Sequence, residues 1–241
     1  MAEEALSNRE LARVVTEPRP CPYLKDREAR TELRLLAGIG IDEYAGAIRA
    51  GFRRFGTVVF RPACETCRAC TPIRVVVRRF RPSKSQRRVL RRNRDVRIDV
   101  GPPGSDDERI DLHRAFHRER SEHVGWKLEE IGENEYRRTF VENCYPTLEL
   151  SYRIGGRLAA VAYIDQGPDA LNSIYCFHHP DHRRRSLGTF DILVQVDLAA
   201  RLGLEYLYLG YYVAGCRSME YKASFRPCEV LIENRWVEFV E

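Results

Sequence analysis

Between residues 148 and 212 the hydrophobic period of the chain switches in a fixed order, and that order constrains the fold more than any other feature. Residues 148–154 and 158–165 are strand-like runs joined by Gly155-Gly156, a pair suited to a tight hairpin. Residues 170–176 make a third strand. Residues 187–202 change to helical spacing, with Leu187, Phe190, Leu193, Val194 and Leu198 three or four apart, and Gly203 stops the helix. Residues 205–212 return to strand. Three antiparallel strands, a helix and a further strand predict an α+β (mixed α/β) domain, neither a bundle nor a sandwich. With 241 residues and 44% hydrophobic content, the chain can bury a sizeable core.

Upstream, the pattern is less regular. Residues 1–20 are polar and read as a flexible N-terminus, and residues 22–34 are so charged that order there would need outside help. Asp42 caps a short helix running to Phe52. Residues 57–61, 73–80 and 96–100 read as strands, and Ser83 caps a helix through Arg94. The punctuation Gly101-Pro102-Pro103-Gly104-Ser105 divides a region of residues 21–104 from one of residues 105–241. In the latter, residues 108–122 and 133–143 are helical, and residues 230–233 and 235–240 pair around Asn234.

No apolar run approaches the ~18 residues of a membrane span. The first residues, MAEEALSNRELARVV, lack a basic segment followed by an apolar one, so the expected address is the cytoplasm. Eight cysteines in such a compartment are expected as thiols, and a tight cluster of them becomes a metal candidate. Cys64, Cys67 and Cys70 form a CxxCxxC run, with Cys21 upstream as a natural fourth ligand for Zn²⁺ or an iron–sulfur cluster. The alternative is ordinary buried thiols, the reading preferred for Cys144, Cys176, Cys216 and Cys228.

The net charge of +5 is no argument for a nucleic-acid partner, but its distribution is. Residues 74–97 hold eleven cations against Asp95 alone, so the rest of the chain sums to −5. On the helix from Ser83, the residues Gln86, Val89, Leu90 and Asn93 share an inward stripe. Arg87, Arg91 and Arg94 flank one side of it, Arg88 and Arg92 the other. Cations on both shoulders suit a polyanion backbone, without implying base readout. Because Arg outnumbers Lys thirty-six to four throughout, a solvated, Arg-inflated helix is the competing reading. A second anion cradle is expected where His182-Arg183-Arg184-Arg185-Ser186-Leu187-Gly188 enters the strong helix, with free N–H groups at its start. Its Arg-Arg-Ser-Leu-Gly resembles the coenzyme A pyrophosphate loop of acetyltransferase-like (GNAT) folds. Tyr211, Tyr212, Tyr221 and Lys222 cluster just past the end of the last strand of the series, where α/β folds usually keep their sites.

Taken together, these segments resemble one family. Cys21-Pro-Tyr-Leu, Gly51-Phe-Arg53-Arg54-Phe-Gly, Arg61-Pro-x-Cys64-x-x-Cys67-x-Ala-Cys70, Pro82-Ser-Lys-Ser-Gln-Arg-Arg and Asn93-x-Asp95 are similar to the N-terminal region of bacterial aspartate/glutamate leucyltransferases. These enzymes are related to the arginyl-tRNA–protein transferases. Ser186-Leu-Gly-Thr-Phe, Tyr208-Leu-Gly-Tyr211 and Met219-x-Tyr221-Lys222-Ala continue the match. The resemblance implies a GNAT-like acyltransferase fold in the C-terminal part, with the Cys-containing, basic region packed on it. It implies an enzyme that conjugates leucine from Leu-tRNA to proteins with N-terminal Asp or Glu, marking them for N-end rule degradation. The alternatives are arginine as the transferred residue, a non-catalytic metal-ordered RNA-binding protein, or an acyl-CoA N-acetyltransferase. An activated ester drives transfer, so no cofactor is required beyond a structural or regulatory Zn or iron–sulfur site. The implied catalytic set is Tyr211, Tyr221 and Lys222. Arg53, Arg54 and Arg226, with Lys222, are candidates for the acceptor's acidic side chain. Arg87, Arg88, Arg91, Arg92, Arg184, Arg185 and Gly188 would hold the tRNA, mainly by its backbone and 3′ end. The segment HRAFHRERSEHVGW at residues 113–126 departs from the family pattern, and no role is carried over to Arg120 or His123.

Overall fold

Order begins earlier than the sequence predicts. The computed structural model describes residues 10–128 and 131–240, and in it Glu10–Val15 (β1) pairs antiparallel with Thr31–Leu36 (β4). The expected flexible tail therefore does not extend over residues 10–15; for residues 1–9 it lies outside the described residues. Between these strands, Arg19–Pro20 (β2) and Glu28–Ala29 (β3) form a short ribbon. The charged segment orders itself because its charges turn inward and pair. Arg34 Nη2 lies 2.6 Å from Glu32, Glu32 also accepts from Arg61 Nε at 2.8 Å, and Glu32 and Arg34 are buried. Arg53–Phe55 (β5) and Val58–Pro62 (β6) complete a small sheet of order β1-β4-β6-β5. The helix Ile41–Arg49 (α1) packs Tyr44 and Ile48 against Tyr145 and Tyr208.

The main sheet has eight strands: Thr71–Val76 (β7), Arg97–Gly101 (β8), Thr147–Ile154 (β9), Arg157–Gln166 (β10), Ala170–His178 (β11), Tyr206–Tyr212 (β12), Cys228–Ile232 (β13) and Arg235–Glu238 (β14). Their order is β14-β13-β7-β12-β11-β10-β9-β8, with β11 and β12 parallel and every other pair antiparallel. Strands from both sides of the Gly-Pro turn at residues 101–105 share this sheet. The turn leads from β8 into the helix Asp107–Val124 (α3), capped by Asp106 on the Arg109 N–H at 3.1 Å. The Gly155-Gly156 hairpin joins β9 to β10, both glycines at positive φ.

Helices bury the sheet on both faces. Ala160, Ala162 and Ile164 of β10 meet the helix Leu187–Arg201 (α5), while Val161 and Tyr163 meet α3 and Phe140, which explains the unbroken apolar run of β10. The basic helix Lys84–Arg92 (α2) docks on α5 through Val89 and Leu90, with Gln86 and Asn93 buried, as the spacing predicts. The expected helix at residues 133–143 is shorter: Glu133–Tyr136 (α4) gives way to a π turn, Arg137–Val141. The helix Arg217–Glu220 (α6) and a 3₁₀ turn, Tyr221–Ser224, lie between β12 and β13.

Candidate active site

β11 and β12 hydrogen-bond over three residues only, ending with Asn172 opposite Tyr208. Beyond that point the parallel strands part, and a guanidinium occupies the divergence. Arg53, at the head of β5, donates through Nη1 to Asn172 Oδ1 and through Nη2 to the carbonyls of Ser173 and, at 3.4 Å, Ile174. Gly210 makes room for it. The β12–β7 register shifts between Tyr208 and Tyr211, Gly210 takes φ +80°, and a Cβ there would stand 3.1 Å from Arg53 Nε.

Lys222 reaches the same place from the 3₁₀ turn. The residue is half-buried, but its amino group points inward, donating to Tyr211 O at 2.9 Å beside Met219 Sδ at 3.5 Å. Burial, reinforced by the charge of Arg53, pushes its pKa down to about 7. Burial also lowers that of Arg53. Neither group forms an ion pair among the described residues, and the charge of Arg53 is felt at Lys222. Such an arrangement is costly unless an anion joins it.

The remaining expected site residues are placed as follows. Tyr211 is buried and donates its hydroxyl to Gly51 O at 2.8 Å, so it shapes the site with its proton already engaged. Tyr221 is exposed as a residue but turns its hydroxyl inward, where burial and the nearby Cys176 and Asp191 raise its pKa. Arg54 is removed from the acceptor-binding set. Its side chain is 0% exposed, it grips Asp165 at 2.7 and 3.0 Å, and its other donors go to Gly56 O, Asn143 and Thr147. Arg226 donates to Ala223 O at 3.2 Å and stacks over Phe239, and no described contact brings it to Arg53 or Lys222.

Three features of the site escaped the sequence reading. Asn172 and Tyr44 carry no motif. Asp191 could have been noticed, because Asp191 and Gln195 stand four apart in an otherwise apolar helix. Asp191 is 1% exposed and accepts from Tyr152 at 2.7 Å and Gln195 at 2.8 Å; burial pushes its pKa up to about 6.

The basic helix α2 runs from the turn that carries Lys222 to the loop of Arg184 and Arg185. At one end of α2, Gln86 donates to Ser224 O at 3.2 Å, beside Lys222. At the other, Asn93 donates to Arg185 O at 2.9 Å and Arg92 to Arg184 O. Arg185 is committed to Asp95, at 2.7 and 2.9 Å, so it and Arg92 clamp the loop to the helix. Arg87 donates to Pro82 O at 2.5 Å. Arg88, Arg91 and Arg184 are exposed and form no ion pair among the described residues. At Gly188 a Cβ would meet nothing within 4 Å, leaving open space at the start of α5.

The four thiols Cys21, Cys64, Cys67 and Cys70 are free and partly exposed. Burial and the charges of Cys21, Cys64 and Cys67 raise Cys70 to about 12, whereas the Ala69 N–H and Arg27 lower Cys67. Their soft donors suit a thiophilic metal. Even so, among the described residues no three His, Cys, Asp or Glu side chains are grouped so as to hold an ion. A cavity of about 350 Å³ lies beside this loop, between Arg27, Arg30, Glu65 and Cys67, apart from the strand divergence. No described helix is long and apolar enough to cross a membrane.

Comparison with known proteins adds two family-model matches: "Arginine-tRNA-protein transferase, N terminus" over residues 19–88, and "Arginine-tRNA-protein transferase, C terminus" over residues 108–232. The chain is 38% identical over 232 residues to the aspartate/glutamate leucyltransferase of Pseudomonas putida (strain W619), covering 95% of this chain and 98% of that one. It is 35% identical over 238 residues to the aspartate/glutamate leucyltransferase of Chromobacterium violaceum, covering 96% and 98%. Among solved structures it resembles FemX, with a TM-score of 0.52 at 6% identity, covering 84% of this chain and 69% of that one. The fold is thus of the GNAT-like acyltransferase type.

Proposed function

The chain belongs to the arginine-tRNA-protein transferase family, and on that premise we propose that it conjugates leucine from Leu-tRNA to proteins with N-terminal Asp or Glu, marking them for N-end rule degradation in the cytoplasm. The observation that carries the reading at the site is the Arg53 guanidinium and the inward Lys222 amine, neither of them in an ion pair among the described residues, near the parting of β11 and β12. Arg53 takes the acceptor's acidic side chain. Lys222, near neutrality, accepts a proton from the acceptor's α-ammonium, whose own pKa is ~8. The freed amine attacks the ester carbonyl carbon of the aminoacyl-tRNA. As the new C–N bond forms, the C–O bond to the terminal ribose breaks, and the ribose oxygen leaves with a proton from the attacking nitrogen. Orientation of the two reactants supplies much of the acceleration. Arg88, Arg91 and Arg184 line the backbone track, and the open start of α5 at Gly188 receives the 3′-terminal phosphates.

A structural metal on Cys21, Cys64, Cys67 and Cys70 belongs to the same proposal. It rests on the CxxCxxC spacing with Cys21 upstream, since the four side chains are not grouped around one point among the described residues, and it enters no step of transfer. Zinc and iron content of the purified protein, wild type against Cys70→Ala, tests it. For the activity, the protein is incubated with labelled Leu-tRNA, Arg-tRNA or acetyl-CoA and peptides beginning with Asp, Glu or Ala. Label from Leu-tRNA alone should appear, on Asp- and Glu-peptides alone. Transfer from acetyl-CoA, or equal labelling of Ala-peptides, overturns the reading.

A further inference from the structure

Arg53 and Arg54 are neighbours in β5, and both are buried, yet the fold treats their charges differently. Arg54 is neutralised by Asp165 of β10. Asp165 stands directly opposite Asn172 of β11 in the antiparallel register, and Asn172 is the residue that holds Arg53. One position thus carries a carboxylate and its partner across the ladder an amide of the same shape.

Tyr44 fixes which way that amide faces. Its hydroxyl donates to Asp165 Oδ2, so toward Asn172 it can only accept, and the Asn172 Nδ2 donates to it at 2.7 Å. The amide oxygen is therefore left to face Arg53. The remaining described partners of Arg53 are backbone carbonyls. All its acceptors are neutral dipoles, which hold a guanidinium in place without cancelling its charge.

We propose that Asn172 is a specificity-determining residue: by gripping Arg53 with an amide where its register partner is a carboxylate, it positions the guanidinium at the strand divergence with no carboxylate in contact, so that the site demands an anionic first side chain on the acceptor. This rests on the reading of Arg53 as the acceptor's partner. Asn172 is 2% exposed and acts through Arg53, as a positioning residue. A carboxylate in its place would satisfy Arg53 internally and set a like charge against the incoming Asp or Glu. A neutral Asn or Gln head would be far less penalised.

The test is N172D, which conserves size, with N172S as a second variant that keeps a neutral acceptor too short to hold Arg53 firmly. Steady-state transfer to peptides beginning with Asp, Glu and Asn is measured with Leu-tRNA held constant, and a thermal melt checks folding. For N172D the ratio of kcat/KM for Asp- over Asn-peptide should fall roughly 10- to 100-fold, the range for one charge-assisted contact, with most of the change in KM. For N172S the KM for Asp-peptide should rise while the ratio stays within about threefold, because the charge of Arg53 survives. An N172D ratio unchanged within twofold overturns the proposal. So does a ratio that collapses in N172S, since geometry and not charge would then decide. R53Q separates this from the reading beneath it: an unchanged ratio in R53Q removes Arg53 from the acceptor site, whereas a collapse in R53Q without one in N172D removes only the role of Asn172.

Discussion

Replacing Asp165 with Asn should be among the more destabilising single changes in the chain. Asp165 and Arg54 have side chains 0% exposed, and the carboxylate accepts from Arg54 Nε and Nη2, from Thr147 at 2.8 Å, and from Tyr44. The change keeps the volume but leaves the Arg54 cation buried without its counter-charge and turns an amide N–H₂ toward groups that donate. Breaking a buried pair in this way costs about 3–5 kcal/mol. For a chain of this size, at ~2–4 °C per kcal/mol, the melting temperature should fall by about 6–20 °C. Urea and thermal unfolding at 50 and 500 mM NaCl, as chosen conditions, would measure it. Because water does not reach the pair, the loss should be the same at both salts, unlike that of a surface pair. The double variant Arg54→Met with Asp165→Leu should recover much of the loss, since it removes both charges together. A cost below about 1 kcal/mol, or one that vanishes in high salt, would refute the reasoning.

Three further outcomes are expected. Asp191 has a folded pKa of about 6, above the ~3.9 of an unfolded chain, so its protonated form favours the fold; its contribution is full below pH ~4 and is lost as pH rises through 6. Asp191→Asn should abolish a drop of up to about 3 kcal/mol between pH 4 and 7 in denaturant titrations, and parallel pH curves for the two proteins would contradict this. Lys222 is lowered to about 7, so transfer should slow as pH falls through 7; Lys222→Met should lose that limb and about 10²- to 10⁴-fold in rate, and a wild-type profile would remove Lys222 from the chemistry. Changing Arg88, Arg91 and Arg184 together to Gln should reduce the salt slope of tRNA affinity by about 0.9 per lost phosphate contact, and an unaltered slope would end the backbone-track assignment.

Some elements could be read locally. The 148–212 succession of strands and helix is written in periodicity, because a helix and a half-buried strand each impose a repeat on their own residues. Ser83 and Gln86 close a capping box within four residues, so the start of α2 was equally legible. β1 and β4 were not, because the residues that bury their inner face are Glu32 and Arg34, whose pairing with one another and with Arg61 hides polar residues in an apolar role. Arg53 and Arg54 show the same limit within the site. Two adjacent arginines look alike in sequence, yet one is a structural cation and the other stands at the strand divergence, and only Asp165 and Asn172, more than a hundred positions downstream, distinguish them.

By itself, then, the sequence determined the C-terminal order of elements, the basic face of α2 and the family, since each is carried by spacing or composition within a short stretch. The tertiary structure decided which cations are left without a carboxylate, where β11 and β12 part, and that β7 and β8 belong to the same sheet as β9–β14. Those outcomes depend on long-range pairing, and a residue's charge in a folded protein is set by what is packed against it and not by its neighbours in the chain.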